Sequence, residues 1–164
     1  MIELIVLDVD GCLTDGGIVY TNNGDEIKAF NVKDGLAISS WVKMGKKAAI
    51  ITGRNSKIVE RRAKELGITY LYQNVKDKKT QLESILKKEN LSWQNVAAIG
   101  DDWNDLKMLE SAGWSFTPND GAEAIKKRVH TCLTCKGGHG AVREMIDMIL
   151  QKYDLEDSME ALWR

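Results

Sequence analysis

Residues 4–10 read Leu4-Ile5-Val6-Leu7-Asp8-Val9-Asp10, and the fold turns on how this stretch is read. Four apolar residues with β-branched members make a run of strand length, and the run stops on an aspartate. The pattern recurs downstream. Ala48-Ala49-Ile50-Ile51 stops at Thr52, and Val96-Ala97-Ala98-Ile99 stops at Gly100-Asp101-Asp102. Tyr70-Leu71-Tyr72 and Trp114-Ser115-Phe116 are shorter runs of the same kind. Segments of helical period lie between them. Leu36, Ile38, Trp41 and Val42 precede Gly45; Ile58, Val59, Ala63 and Leu66 precede Gly67. Leu82, Ile85 and Leu86, then Leu106 and Leu109, then Ala141 to Gln151 complete the series. Strands alternating with helices predict an α/β fold, a Rossmann-like parallel sheet with helices on both faces. Strands without an internal polar alternation fit burial on both sides.

One insertion departs from the alternation. Asn23-Gly24 stands between Gly17-Ile18-Val19-Tyr20 and Glu26-Ile27-Lys28-Ala29-Phe30, a β-hairpin signal at about residues 17–31. With 164 residues in all, the sheet and its helices use nearly the whole chain. A single domain over 1–164 is expected, with this hairpin as its only insert and no cap domain. Residues from about 152 to 164 read as a polar tail, whose Leu155, Leu162 and Trp163 suggest docking on this chain or a neighbour.

Composition narrows the function. Lys and Arg total 23 and Asp and Glu total 24, a formal net charge of −1. That disfavours a nucleic-acid binder, because no global basic field is present. No apolar run approaches membrane-span length, and no basic segment leads into a long apolar one, so a cytoplasmic protein without a membrane partner is expected. Cys12, Cys132 and Cys135 are an odd set, read as reduced thiols.

In open α/β sheets, ligands bind beyond the carboxyl ends of the strands. Those ends here carry Asp8 and Asp10, then Thr52 and Gly53, then Asp101 and Asp102, with Asp105 one turn later. Lys78 opens a helix after Asp77. Carboxylates this crowded repel each other unless a cation joins them or some hold protons. Aspartate oxygens without His or Cys favour a hard ion, Mg²⁺ before Ca²⁺. A hydroxyl and an ammonium beside such an ion suit the oxygens of a phosphate. The set therefore reads as phosphoryl chemistry, with one aspartate as nucleophile and a second as general acid and base. Taken singly, each of these residues is more often an ordinary cap or turn residue. The ordered combination is what carries the reading.

That combination resembles the haloacid dehalogenase superfamily of phosphohydrolases, and within it the 3-deoxy-D-manno-octulosonate 8-phosphate (Kdo-8-phosphate) phosphatases. The resembling segments are DVDGCLTDG, KAFNVKDG, ITGRNSKIVERRAKELGITYLYQ, IGDDWNDLKMLESAG and GGHGAVREM. The resemblance implies that Asp8 is the nucleophile and a metal ligand. Asp10 would protonate the leaving sugar oxygen, activate water and ligate the metal through its backbone carbonyl. Thr52 and Lys78 would hold the transferring phosphoryl group, and Asp101 would be the third ligand of Mg²⁺. Asp102 and Asp105 would orient metal waters or Lys78 from behind. Substrate contacts are implied at Asn31, Val32, Lys33, Asp34, Gly35 and Ser39, besides Asp10 and Lys78. Arg54 offers a fork for the carboxylate of a phosphorylated 2-keto-3-deoxy sugar acid. Arg62 would reach a neighbouring subunit's site in a homotetramer.

Two alternatives accompany this expectation. A nonulosonate 9-phosphate keeps the chemistry and changes the sugar acid, and Arg54 disfavours it. A receiver-like phosphoacceptor switch also gathers acids, Thr and Lys, but in another motif order. Cys132-Leu133-Thr134-Cys135, with His130 and His139 nearby, would bind zinc only if all four converged. Cys12 reads as packing. His139, in the Gly137–Gly140 loop that the resemblance brings to a neighbouring site, stands where the resembling proteins often have Arg.

Overall fold

A computed structural model describes residues 1–164. The central sheet holds β1 (Leu4–Leu7), flanked later by β4 (Lys47–Ile51), β5 (Tyr70–Tyr72), β6 (Val96–Ile99), β7 (Trp114–Thr117) and β8 (Thr131–Cys132). Between β1 and β4 lie β2 (Val19–Tyr20) and β3 (Glu26–Ile27) of a separate hairpin. The order is β5-β4-β1-β6-β7-β8, and every pairing is parallel. The chain winds outward from β1 in both directions, which makes β1 the topological switch point.

Side-chain alternation along β1 splits the core. Ile5 and Leu7 face one layer, and Leu4 and Val6 the other. The first layer is filled from α1 (Val32–Lys43), α2 (Lys57–Leu66) and α6 (Ala141–Lys152). Trp41 is fully buried there, with its indole N–H donating to Lys47 O at 2.9 Å. The second layer comes from α3 (Lys78–Glu89), α4 (Leu106–Ser111) and α5 (Glu123–Lys126). Local chemistry sets the helix limits. The Ser56 hydroxyl accepts from Ile58 N at the start of α2, and Gly67 closes it at φ +71°. Asp77 accepts from Thr80 N at the start of α3.

The hairpin is shorter than expected. Only Val19↔Ile27 and Tyr20↔Glu26 pair, around a turn with Gly24 at φ +84°. The tail docks on its own chain, one of the two outcomes expected of it. It forms α7 (Glu156–Ala161), Leu155 and Met159 pack on the first layer, and the Trp163 indole donates to Ser40 Oγ at 3.2 Å. β8 and α5 have no counterpart in the sequence reading, because two and four residues carry no usable periodicity. No helix is long and apolar enough to cross a membrane.

Candidate active site

Register explains why distant residues meet. Leu7 pairs with Ile50 on one side and Ile99 on the other. The chain therefore leaves the three central strands side by side: Asp8 directly after β1, Thr52 directly after β4, and Asp101 one residue further on, after Gly100. A cavity of about 180 Å³ opens there, lined by Asp8, Asp10, Thr52, Gly53, Arg54, Asp101, Asp102 and Asn104. Gly11, at φ +94°, passes close under Asp101, and a Cβ at that position would run into its carboxylate. Gly137 packs backbone to backbone on the same loop, with Gly138 N donating to Cys12 O at 3.1 Å. This close packing is a local reason for the glycines in the Gly137–Gly140 loop.

The Asp8 side of the cavity is a buried ion network. Lys78 Nζ donates to Asp8 Oδ1 and to Asp105 Oδ1, each at 2.6 Å. Asp105 is wholly buried, and its Oδ2 accepts from Asp101 N at 3.0 Å and Asp102 N at 3.4 Å. Asp105 thus ties the lysine to the loop that presents Asp101. Asp102 spends its Oδ1 on Trp103 N at 2.8 Å. Burial, then the Asp105 carboxylate, push the Asp8 carboxyl up to about 8 against the opposing pull of Lys78. Burial, then Asp105 and Asp102, push Asp101 to about 6. Lys78 is raised: burial opposes its charge, but Asp8 and Asp105 outweigh that cost.

Four carboxylates around one ammonium leave an excess of negative charge that a cation offsets. Asp8, Cys12 and Asp101 each turn a ligand atom to one place, all within 4.8 Å of one another. Burial pushes the Cys12 thiol well above its ordinary range, so it stays protonated and packs in the core. The donors left are oxygens, which fit a hard divalent ion.

Asp10 faces the other way. Its Oδ1 accepts from Lys28 Nζ, and Arg54 Nε stands 3.9 Å from Oδ2. Lys28 also meets Glu26 at 2.9 Å. Arg54 donates from a terminal nitrogen to the Tyr20 hydroxyl at 3.2 Å, so its fork is already engaged from the hairpin. Lys28, Glu26 and Tyr20 are absent from the sequence-based site. Lys28 lies inside the resembling segment KAFNVKDG, but its spacing to Asp10 carries no recognised signal.

The other expected substrate contacts do not line this cavity. Asn31 caps α1, accepting from Lys33 N at 2.9 Å and Asp34 N at 3.3 Å. Asp34 is buried, and its Oδ1 accepts from Arg143 N at 2.8 Å, fixing α1 to α6. Val32 and Lys33 are exposed, and Ser39 Oγ donates to Leu36 O at 3.1 Å. Arg62 reaches Asn31 O at 3.4 Å, lies over the Phe30 ring and crowds Gly35. Residues 31–35 and Arg62 thus form one patch, apart from this chain's own cavity. Cys132, Cys135, His130 and His139 do not converge. His130 Nδ1 pairs with Ser115, His139 Nδ1 with Gly137 O, and the single metal-capable cluster is the one at Asp8.

Comparison with known proteins gives the family. Residues 24–113 match the family model of the haloacid dehalogenase-like hydrolases. The 3-deoxy-D-manno-octulosonate 8-phosphate phosphatase of Escherichia coli (strain K12) is 43% identical over 149 residues, covering 91% of this chain and 79% of that protein. The enzyme of the same name from Yersinia pestis is 41% identical over 153 residues, 93% of this chain and 82% of that protein. A crystal structure of the Moraxella catarrhalis phosphatase, in complex with magnesium, phosphate and Kdo, superposes with a TM-score of 0.95. It is 42% identical and covers 99% of this chain and 94% of its own. The cobalt-bound Haemophilus influenzae phosphatase gives a TM-score of 0.87 at 39% identity, covering 92% and 88%.

Proposed function

Because the chain belongs to the haloacid dehalogenase-like hydrolases, in the family of the Kdo-8-phosphate phosphatases, we propose that it hydrolyses Kdo-8-phosphate to Kdo and inorganic phosphate. It is a phosphoric monoester hydrolase with Mg²⁺ as cofactor. The observation that carries the site assignment is Asp8 at the mouth of β1, buried, bonded to Lys78 and gathered with Asp101 at one point.

Asp8 and Asp101, with the Asp10 backbone carbonyl, would hold the ion. Mg²⁺ there supplies the charge that lets an anionic nucleophile approach an anionic phosphate. The chain's own groups do the rest. The Asp8 carboxylate attacks phosphorus, the bond to the sugar oxygen breaks, and an acyl-phosphate forms on Asp8. Asp10 gives its proton to the departing oxygen. A water then attacks phosphorus, Asp10 takes back a proton, and phosphate leaves Asp8. Thr52 and Lys78 donate to the phosphoryl oxygens throughout.

The cavity of about 180 Å³ takes a phosphoryl group but is small beside sites for whole organic ligands, roughly 300–1,000 Å³. The sugar acid therefore sits over the rim. Its cover would come from neighbouring subunits of a homotetramer, whose Arg62 and 31–35 patch would close on it. Exposed Ile18, Val19, Tyr20 and Ile27 of the hairpin, with Val32 at the start of α1, favour such an assembly. Three unpaired cysteines fit the reducing cytoplasm.

A phosphate-release screen across sugar phosphates, with and without Mg²⁺, tests the reading. Kdo-8-phosphate is expected to give the highest kcat/KM, only with Mg²⁺, and Asp8→Asn is expected to release none. Hexose phosphates matching it would refute the substrate assignment, and turnover by Asp8→Asn the nucleophile.

A further inference from the structure

We propose that Lys28, from the return arm of the hairpin, is a positioning residue for Asp10, so that the hairpin completes the acid–base half of its own subunit's site. The inference rests on the phosphatase reading. Among the lysines in ion pairs, Lys28 and Lys78 have the most buried side chains, each 1% exposed. Burying an ammonium is costly unless carboxylates surround it. Lys78 meets that condition with Asp8 and Asp105, and Lys28 with Asp10 and Glu26. Each of the two aspartates assigned to chemistry thus has its own buried ammonium.

The geometry gives the second pair a specific task. Lys28 occupies Asp10 Oδ1. Arg54 Nε, at 3.9 Å from Oδ2, is beyond hydrogen-bond distance. Oδ2 is therefore the oxygen left to carry the proton to the leaving group, and Lys28 fixes the carboxylate's rotation so that it does. Glu26 holds Lys28 in turn, with Oε1 at 2.9 Å as an ion pair off hydrogen-bond geometry and no other donor bonded to it. A residue that only fastened the hairpin would have no reason to spend its buried charge on the acid–base aspartate.

The test compares Lys28→Met with the wild-type chain on two substrates. A sugar alkoxide needs a proton to leave, whereas 4-nitrophenolate does not. On Kdo-8-phosphate, K28M is expected to lose kcat by about tenfold or more, a fraction of the roughly 10²–10⁴-fold that a general acid supplies, with KM within about threefold. The pre-steady-state burst of 4-nitrophenol from 4-nitrophenyl phosphate is expected at the wild-type rate, and Lys28→Arg to recover part of kcat. Wild-type kcat in K28M, a loss confined to KM, or an equal loss in the 4-nitrophenol burst would each overturn the proposal. Should K28M not fold, Glu26→Gln, which loosens the same ammonium, is expected to show the same substrate contrast more weakly; no contrast counts against it. If the wild-type chain hydrolyses no phosphomonoester, the phosphatase reading fails by itself. The proposal is then decided by a crystal structure of E26Q or K28M, which supports it if the Asp10 carboxylate rotates and refutes it if the carboxylate stays.

Discussion

At the scale of single residues, the site is a problem of placing like charges together. Asp8 and Asp101 have carboxyls raised to about 8 and about 6 from an ordinary value of 3.8. A carboxyl whose folded value is raised binds its proton more tightly folded than unfolded. Its contribution to stability is full below 3.8 and is lost as pH rises through the folded value. The metal-free protein is therefore expected to lose stability from pH 4 to 8, first through Asp101 and then Asp8. A divalent ion competes with those protons, so the rise in Tm on adding Mg²⁺ is expected to be larger at pH 8.5 than at pH 6. Equal shifts in thermal denaturation at the two pH values would contradict this. Asp105 makes a different prediction. It is fully buried and shares Lys78 with Asp8, so Asp105→Ala leaves a buried ammonium with one partner fewer. Breaking a buried pair costs about 3–5 kcal/mol, which urea denaturation of the variant measures.

At the scale of elements, what was legible in the sequence follows from what each element needs. β1, β4 and β6 are buried on both faces, so their apolar runs were readable, and parallel register carried their terminal Asp and Thr residues to one edge. Asp8, Thr52, Asp101 and Asp105 could be grouped on that rule alone. Lys28 could not, because its partner is 18 positions away and no spacing rule joins a hairpin arm to a strand end. The short β8 and α5 carry no periodicity to read, since two and four residues are held by tertiary packing rather than propensity. Asn31 shows a reading that structure complicates. The resemblance implies a substrate contact, yet its side chain caps α1. Asn31→Ala is expected to cost about 1 kcal/mol of stability from the cap. A urea midpoint unchanged from wild type would remove the capping account.

At the scale of the whole molecule, a net charge of −1 draws no anion from afar. Attraction is local, from Arg54 and Lys78 at the site, and from the ion. The exposed apolar side chains of the hairpin make the proposed assembly testable. Val19→Asp with Ile27→Asp is expected to leave monomers in light scattering and to lower kcat/KM, while the sheet's melting behaviour changes little. A monomeric variant with wild-type kcat/KM would show that neighbours contribute nothing to the site.

The hairpin itself holds by only two residue pairs, and isolated two-stranded hairpins are marginal in water. Lys28 on Asp10 and Tyr20 on Arg54 tie it to its own chain, and neighbours in the proposed assembly would add to that hold. If its arm carries the ammonium on Asp10, turnover per molecule becomes a function of how many molecules are present. Such an enzyme should lose specific activity on dilution below the dissociation constant of its assembly and regain it on reconcentration. In a growing cell, the rate of its reaction would then rise more steeply than in proportion to the amount of protein made.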